Sequence, residues 1–501
     1  MLTKAPMRRS SVVFVACLVA CSAEKKQNAA LETKPDAASE PAETASNRPD
    51  GAAPAPSLDA GGDAGSDAAA PRPYKHYDIN HVLSTGQSDS VANGASPFLT
   101  SVQPFGNLSF DVGVMTASGC DGDGCLRYDK PSDFIPLVEG DEFFSYGVET
   151  MSAGLANQAT VFARDWFAKV GLPPLRHDML VSLHGRSGNT YWCLRKGSCN
   201  YTPGYLAPFD EALMQVNSAK AIAAAKGKTY VVRAVTAIHG GSDHYQNERE
   251  LSFIDRTDGN GTVGNYAEAL IEWQHDYETE VRAITGQSEP VPLFVSQFGS
   301  WTDTPTSRIP VRQMEAHVRT AGKVVVVTPN YPFVHYEDCL HYSNYSQRRL
   351  GAYFAKAYQR VIVEGGTFEP LRPLAVTRAG NVLTVKFHVP VPPLVIDTTR
   401  VTDPGNYGFT YADSTSSASV ASVALAGPDT VTVTLTTAPT GAERKLRYAL
   451  NAPIPHACPG PTGGARGNLR DSDATVAYHT DASGAPYELF NWAVHSEMDV
   501  P

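Results

Sequence analysis

A hydroxyl, an imidazole and a carboxylate stand far apart in this chain, each in a setting that can do chemistry. The stretch Leu83-Ser84-Thr85-Gly86-Gln87-Ser88-Asp89-Ser90 runs a short apolar lead-in into Gly-Gln-Ser. A strand ending this way turns sharply and presents a hydroxyl, which makes Ser88 a candidate nucleophile; the same residues also make an ordinary polar turn. A serine hydroxyl attacks only when a base takes its proton, so Ser88 requires a histidine, a group that orients it, and donors for an oxyanion. Glu337-Asp338-Cys339-Leu340-His341 offers the first two. A carboxylate three residues ahead of a histidine fits on one turn, so that Asp338 accepts from one ring nitrogen and His341 points the other at a serine. His335 and His244 are the alternative bases.

Two further stretches can serve an oxyanion. Ser145-Tyr146-Gly147-Val148-Glu149-Thr150 reads as the opening of a helix, which would place the Gly147 N–H at a positive helix end. Ile238-His239-Gly240-Gly241-Ser242-Asp243 closes an apolar run. His239 is there either a side-chain donor or a hydrogen-bonded structural histidine, next to glycines that let a substrate approach. Tyr191, Trp192 and Tyr245 fall in neighbouring loops and suit either stacking on a ligand or core packing.

The elements that must position these residues are legible in the apolar pattern. Between about Tyr74 and Glu369, the runs from Asp178 to Leu183, Thr229 to Ile238, Val291 to Ser296 and Lys323 to Thr328 are apolar nearly throughout. Strands greasy on both faces belong in a covered parallel sheet. Amphipathic helical segments, among them Thr150 to Lys169, Glu211 to Lys226, Asn265 to Ile284 and Ser346 to Val363, separate them. The alternation predicts a three-layer α/β/α domain with a mainly parallel sheet and its chemistry at the carboxyl ends of strands. From about Pro370 the texture changes to Gly, Thr, Val and Pro, with period-two runs at Val382 to Phe387 and Thr430 to Leu435. That pattern predicts an antiparallel β-sandwich-like C-terminal domain. Within it, Arg466 to Asp473 carries carboxylates, but its spacing does not fit a Ca²⁺ loop and it reads as a surface turn.

In their order, Gly86-Gln87-Ser88-Asp89, Gly147, His239-Gly240-Gly241-Ser242-Asp243 and Asp338-x-x-His341 resemble the SGNH (GDSL-like) hydrolase superfamily, in particular its sialate O-acetylesterase and carbohydrate-esterase branch. The resemblance spans roughly Ile79 to Glu364. It implies a serine esterase with Ser88 as nucleophile, His341 as general base and then acid, and Asp338 as its orienter. It further implies an oxyanion hole from the backbone of Ser88 and Gly147 and the side chain of His239, and no metal or organic cofactor. The branch usually has Gly-Gln-Ser-Asn, Gln-Gly-Glu-Ser and Asp-x-x-His. Here Asp89 stands in place of Asn, His239 in place of Gln and Gly241 in place of Glu, and the added carboxylate at Asp89 should raise the pKa of the base. The implied substrate is an acetylated sugar or polysaccharide. A lipase or polyesterase, and a glycan-binding surface protein that keeps the scaffold without turnover, are the other readings.

The whole chain bounds the rest. Its 501 residues suffice for two or three domains, and a net charge of -11 without a basic run argues against nucleic acid as partner. Lys4, Arg8 and Arg9 precede an apolar run from Val12 to Ala20, the order of a secretory signal. Leu18-Val19-Ala20-Cys21 resembles the bacterial lipoprotein box, which implies lipidation of Cys21, and Ser22 after it implies sorting to the outer membrane. Residues 22–72 are rich in Ala, Pro, Asp, Glu, Ser and Gly and read as a flexible tether. The expected organisation is therefore a leader (1–21), a tether (22–72), the α/β domain (73–369) and a β-rich domain (370–501). An exported chain permits disulfides. Cys120 with Cys125, and Cys193 with Cys199, are close enough to close small loops, leaving Cys339 with Cys458 as the long link.

Overall fold

Strands buried on both faces make the centre of the computed structural model, which describes residues 72–501 apart from 122–123, 129, 144–145, 198–205, 247–253, 256–261, 300–307, 451 and 453–457. The expected leader, Cys21 and the tether up to residue 71 lie outside the described residues. Seven strands, β1 (Ile79–Gly86), β2 (Leu108–Phe110), β3 (Phe134–Pro136), β4 (Met179–Leu183), β5 (Tyr230–Ile238), β6 (Leu293–Gln297) and β7 (Val324–Pro329), form one sheet. Its order is β7-β6-β5-β1-β4-β2-β3. All neighbours run parallel except β2 and the edge strand β3. Every residue of β1, β4, β6 and β7 is buried, as strands covered on both faces require, and in β1 these include the polar Asn80, His81, Ser84 and Thr85.

Helices α1 (Met151–Lys169), α2 (Pro208–Ala225), α3 (Tyr266–Thr285), α4 (Ile309–Thr320) and α5 (Asn344–Tyr358) cover the sheet. α1 packs on α5 in one outer layer, and α3 packs on α2 and α4 in the other. The arrangement is the three-layer α/β/α domain that the strand and helix patterns predict. Side chains fix where the helices begin. Thr150 caps α1, Asn265 caps α3, and Ser343 caps α5 by accepting from Ser346 N. The last of these matters to the site, because α5 starts just behind His341.

The C-terminal part is antiparallel, as its period-two runs predict. Strands β8 (Arg372–Ala379), β9 (Val382–His388), β11 (Val420–Leu425) and β12 (Thr430–Leu435) pair in the order β8-β9-β12-β11. A second sheet pairs β10 (Phe409–Ala412), β13 (Lys445–Tyr448) and β14 (Ser496–Asp499) in that order. Leu383, Val385 and Phe387 of β9 and Val431, Val433 and Leu435 of β12 point inward, and their core is shared with Phe409, Leu446, Tyr448 and Trp492. The stretch Arg466 to Asp473 is not the expected surface turn: most of it is buried, and Leu469–Arg470 pairs with Val395–Ile396. Asp471 is buried and accepts from Val391 N, Asp473 N, Asn491 N and the Asn491 amide.

The described residues pack as one unit. The C-terminal part meets the sheet through buried polar bonds. Gln297 Nε2 donates to His495 O at 2.9 Å and Gln297 Oε1 accepts from His495 N at 2.8 Å, while Tyr331 Oη donates to Ala493 O at 2.7 Å. Lys356 Nζ donates to Leu489 O and Asp473, each at 2.6 Å.

Cys339 and Cys458 are joined, with Cα atoms 4.7 Å apart. Cys193 is disulfide-bonded, and its expected partner Cys199 lies outside the described residues. Cys120 and Cys125 face each other in register across a hairpin; their side chains lie outside what is described. Among the described residues, no helix is long and apolar enough to cross a membrane.

Candidate active site

The Ser88 turn begins where β1 stops. Gly86 has φ +134°, and a Cβ there would lie 2.2 Å from Ile238 O, so only glycine lets β1 end against β5 in this way. Ser88 follows on the turn, 7% exposed, with its carbonyl accepting from Asn93 N at 3.0 Å. Among the described residues neither its hydroxyl nor its N–H has a hydrogen-bond partner. Gln87 reaches sideways, its Oε1 accepting from Gly240 N at 3.2 Å and Ser242 N at 2.6 Å. The amide of Gln87 also accounts for Gly241, where a Cβ would lie 2.5 Å from Gln87 Nε2.

His341 and Asp338 are in contact. His341 Nδ1 donates to Asp338 Oδ2 at 2.6 Å, and Asp338 Oδ1 accepts from Leu340 N at 2.9 Å and His341 N at 3.0 Å. The tautomer with its proton on Nδ1 leaves Nε2 as an acceptor. Ser88 and His341 are not hydrogen-bonded to each other; Asp89 links their segments. Tyr342 N donates to Asp89 Oδ1 at 3.0 Å, and Gln347 Nε2 of α5 donates to Asp89 O at 2.6 Å. One residue to either side of that link stand the hydroxyl and the imidazole.

The electrostatics suit a base. Burial pulls the His341 imidazole down, but the Asp338 bond and the charges of Asp89 and Asp338 outweigh it, so its pKa lies above 6.5. Burial pushes Asp89 up to about 6, against the pull of His341 and of the Tyr342 N–H. Asp338 loses some hydration to burial, yet its bonds to His341 hold it below the usual range. His335, one alternative base, is pulled down to about 4 by burial; its Nδ1 lies 3.2 Å from Phe333 O and its ring packs on Tyr342. His244 is buried in the short helix Gly241–Gln246.

Two expectations change. Gly147 does not open a helix: it pairs with Glu142 in the hairpin Glu142–Phe143/Tyr146–Gly147, and α1 begins only at Met151. The N-terminus of α1 is occupied instead by Glu139, which accepts from Thr150 N at 3.0 Å and Ala153 N at 2.8 Å. Nor does His239 present a donor to a cleft. It is 1% exposed; Nδ1 bonds Tyr266 Oη at 2.6 Å, while Nε2 lies 3.3 Å from both Asn189 O and Asp243 Oδ2. Stacked on Tyr266 and edge-on to Trp273, it is a structural histidine, held down to about 4 by burial. Tyr191 is likewise core, with Oη donating to Glu272 at 2.8 Å. Trp192 is half-buried under the Arg195 guanidinium, 4.3 Å from its ring centre, and the Tyr245 side chain lies outside the described residues.

The loop after β4 belongs to the site and is absent from the sequence reading. His184 N donates to Ser84 O and Arg186 N to Gly86 O, both at 2.9 Å, so residues 184–186 run beside the end of β1 where the Ser88 turn begins. A Cβ at Gly185 would lie 2.0 Å from Ser90 Oγ. Beneath this loop Arg186 pairs with Glu211, at 3% and 0% side-chain exposure, and Thr116 donates to the same carboxylate. The signal was available: β4 is an apolar strand of a parallel sheet, and its carboxyl end is where such sheets place function.

No family model matches this chain, and no curated protein does. Twelve solved chains match. One is a carbohydrate acetylesterase from Xanthomonas citri, 12% identical, covering 84% of this chain and 80% of its own, with TM-score 0.48. A carbohydrate acetylesterase from Sinorhizobium meliloti is 11% identical over 55% of this chain and 97% of its own, with TM-score 0.29. A protein from Arabidopsis thaliana is 14% identical over 56% of this chain and 98% of its own, with TM-score 0.33.

Proposed function

We propose that this chain is a serine carboxylic-ester hydrolase that removes acetyl groups from a sugar or polysaccharide. The observation that carries the reading is the Asp338–His341 bond at 2.6 Å, formed on a segment that Asp89 ties to the Ser88 turn. Ser88 Oγ attacks the ester carbonyl while His341 Nε2 takes its proton, and the Asp338 carboxylate stabilises the imidazolium that results. The Ser88 N–H donates to the oxyanion, with the loop 184–189 as the adjoining wall. His341 returns the proton to the leaving alcohol. Water, activated by the same imidazole, then releases acetate from Ser88.

The acetyl group and the sugar come from the motif resemblance, and residues 1–72 complete the proposal as a leader lipidated at Cys21 and a tether to the outer membrane. Purified protein lacking residues 1–71 should hydrolyse p-nitrophenyl acetate, and a fluorophosphonate probe should leave a covalent adduct on the Ser88 peptide. Equal rates for wild type and Ser88→Ala would refute the assignment. Faster turnover of long acyl chains than of acetylated xylan would replace the acetylesterase by a lipase.

A further inference from the structure

We propose that the Cys339–Cys458 disulfide is a positioning device of the active site, through which the C-terminal part holds the Asp338 carboxylate on His341. The kinetic part of this inference rests on the esterase reading; the structural part does not.

Asp338 sits at the tip of a small hairpin. Ser343 N donates to Val334 O at 3.1 Å, Tyr336 N to His341 O at 2.6 Å and Cys339 N to Tyr336 O at 2.9 Å. The base of the hairpin is anchored by buried residues, since Tyr331, Pro332, Phe333, His341 and Tyr342 are all buried. The tip is not. Residues 336–340 are all exposed, and Cys339 is held at φ +59°, a conformation that L side chains adopt at a cost. The Tyr336 ring lies against Gly94. Three hydrogen bonds, from Leu340 N, His341 N and His341 Nδ1, define where the carboxylate sits within this exposed turn, and the turn as a whole has to be held over the base.

The disulfide supplies what packing does not. Cys339 is the residue next to Asp338, and it is bound to Cys458, 119 positions away. The receiving segment is itself fixed. Gly460 lies against Phe333 O and His335, Gly460 bridges Gly463, and Thr402 N donates to Pro461 O at 2.9 Å, which ties the segment to the C-terminal part. The tip is therefore held from outside the α/β layers.

The test compares the full chain with the double variant Cys339→Ser/Cys458→Ser, which removes both sulfurs of the link. A displacement of about 1 Å in a catalytic group can cost on the order of a hundredfold in rate. We expect kcat to fall at least tenfold with KM unchanged, and no further fall when the same pair is removed from Asp338→Asn. Dithiothreitol should slow the wild type to the same level. It breaks the S–S bond to give two thiols and becomes the cyclic disulfide, its two thiol protons passing to the cysteines. Oxidised glutathione should restore the rate, and the reductant should not slow the double variant further. The second readout needs no turnover: the low-field Nδ1 proton of His341 in NMR, present in the wild type, should broaden or vanish when the link is cut. An intact Nδ1 resonance in the double variant or the reduced wild type overturns the proposal, as does an unchanged kcat. Absence of esterase activity in the oxidised wild type overturns the function instead, and the resonance then decides this inference alone.

Discussion

Glu211→Gln keeps the shape of the side chain beneath the loop that follows β4 and removes its charge. Arg186 is then a cation at 3% exposure with no carboxylate against it, held only by amide and carbonyl oxygens such as Gly185 O at 2.9 Å. Removing one partner of a buried pair costs about 3–5 kcal/mol, because the remaining charge has lost its solvent and its counter-ion together. At about 1.4 kcal/mol per decade, that is a hundredfold to several-thousandfold change in the ratio of folded to unfolded chain. The exposed pair Arg400–Glu488, each side chain 39% exposed, is the internal control. Glu488→Gln should cost less than about 1 kcal/mol. Urea unfolding followed by circular dichroism and tryptophan fluorescence reads both variants, with the midpoint falling and the slope unchanged. Arg186→Met with Glu211→Leu should recover most of the loss, since apolar groups of similar size replace the pair. The reasoning fails if Glu211→Gln is no more costly than Glu488→Gln.

Asp338→Asn should lower kcat by about 10²–10⁴ with the melting temperature retained, because the amide no longer fixes the His341 tautomer; a full rate would move the base elsewhere. Asp89→Asn should shift the acid limb of kcat/KM to lower pH. The base works as neutral imidazole, the rate rises as pH climbs through its pKa, and removing a negative neighbour lowers that pKa; an unmoved limb contradicts the electrostatic role. His239→Gln should cost about 1–3 kcal/mol in urea unfolding, through lost ring bonds to Tyr266 and Asn189. It should leave the pH profile unchanged, since a histidine held near 4 is already neutral where the enzyme would work; a shifted profile would return His239 to the site.

Four strands of the parallel sheet were legible because each is an apolar run, whereas the three-residue strands β2 and β3 are too short to leave a pattern. Val324 to Val327 has no polar face, and the alternation in Val382 to Phe387 declares one covered side. The contact between Asp338 and His341 follows from local spacing, and the Cys339–Cys458 link from counting. What escaped was set by partners distant in sequence. His239 is claimed by Tyr266 and by the Asn189 carbonyl, 27 and 50 positions away, and nothing in His-Gly-Gly-Ser signals those bonds. Gly147 was misplaced because the two-residue pairing with Glu142 leaves almost no periodic trace, whereas the capping Thr150 a few residues on resembles a helix start. The loop His184 to Asn189 reads as a bland polar turn until β4 is seen lying beside β1.

The reciprocal amide bonds between Gln297 and His495 bear on what can be cut away. A chain ending at Glu369 would strip Tyr331 and Lys356 of their acceptors and Gln297 Oε1 of its donor in one stroke, at about 1–3 kcal/mol for each buried polar group left without a partner and more for the ammonium. The sheet edge at β7 and the outer face of α5 would meet water with surfaces shaped for protein. Truncation at that boundary should yield an aggregating fragment and not a minimal hydrolase, so the two halves have to be expressed, engineered and inherited together.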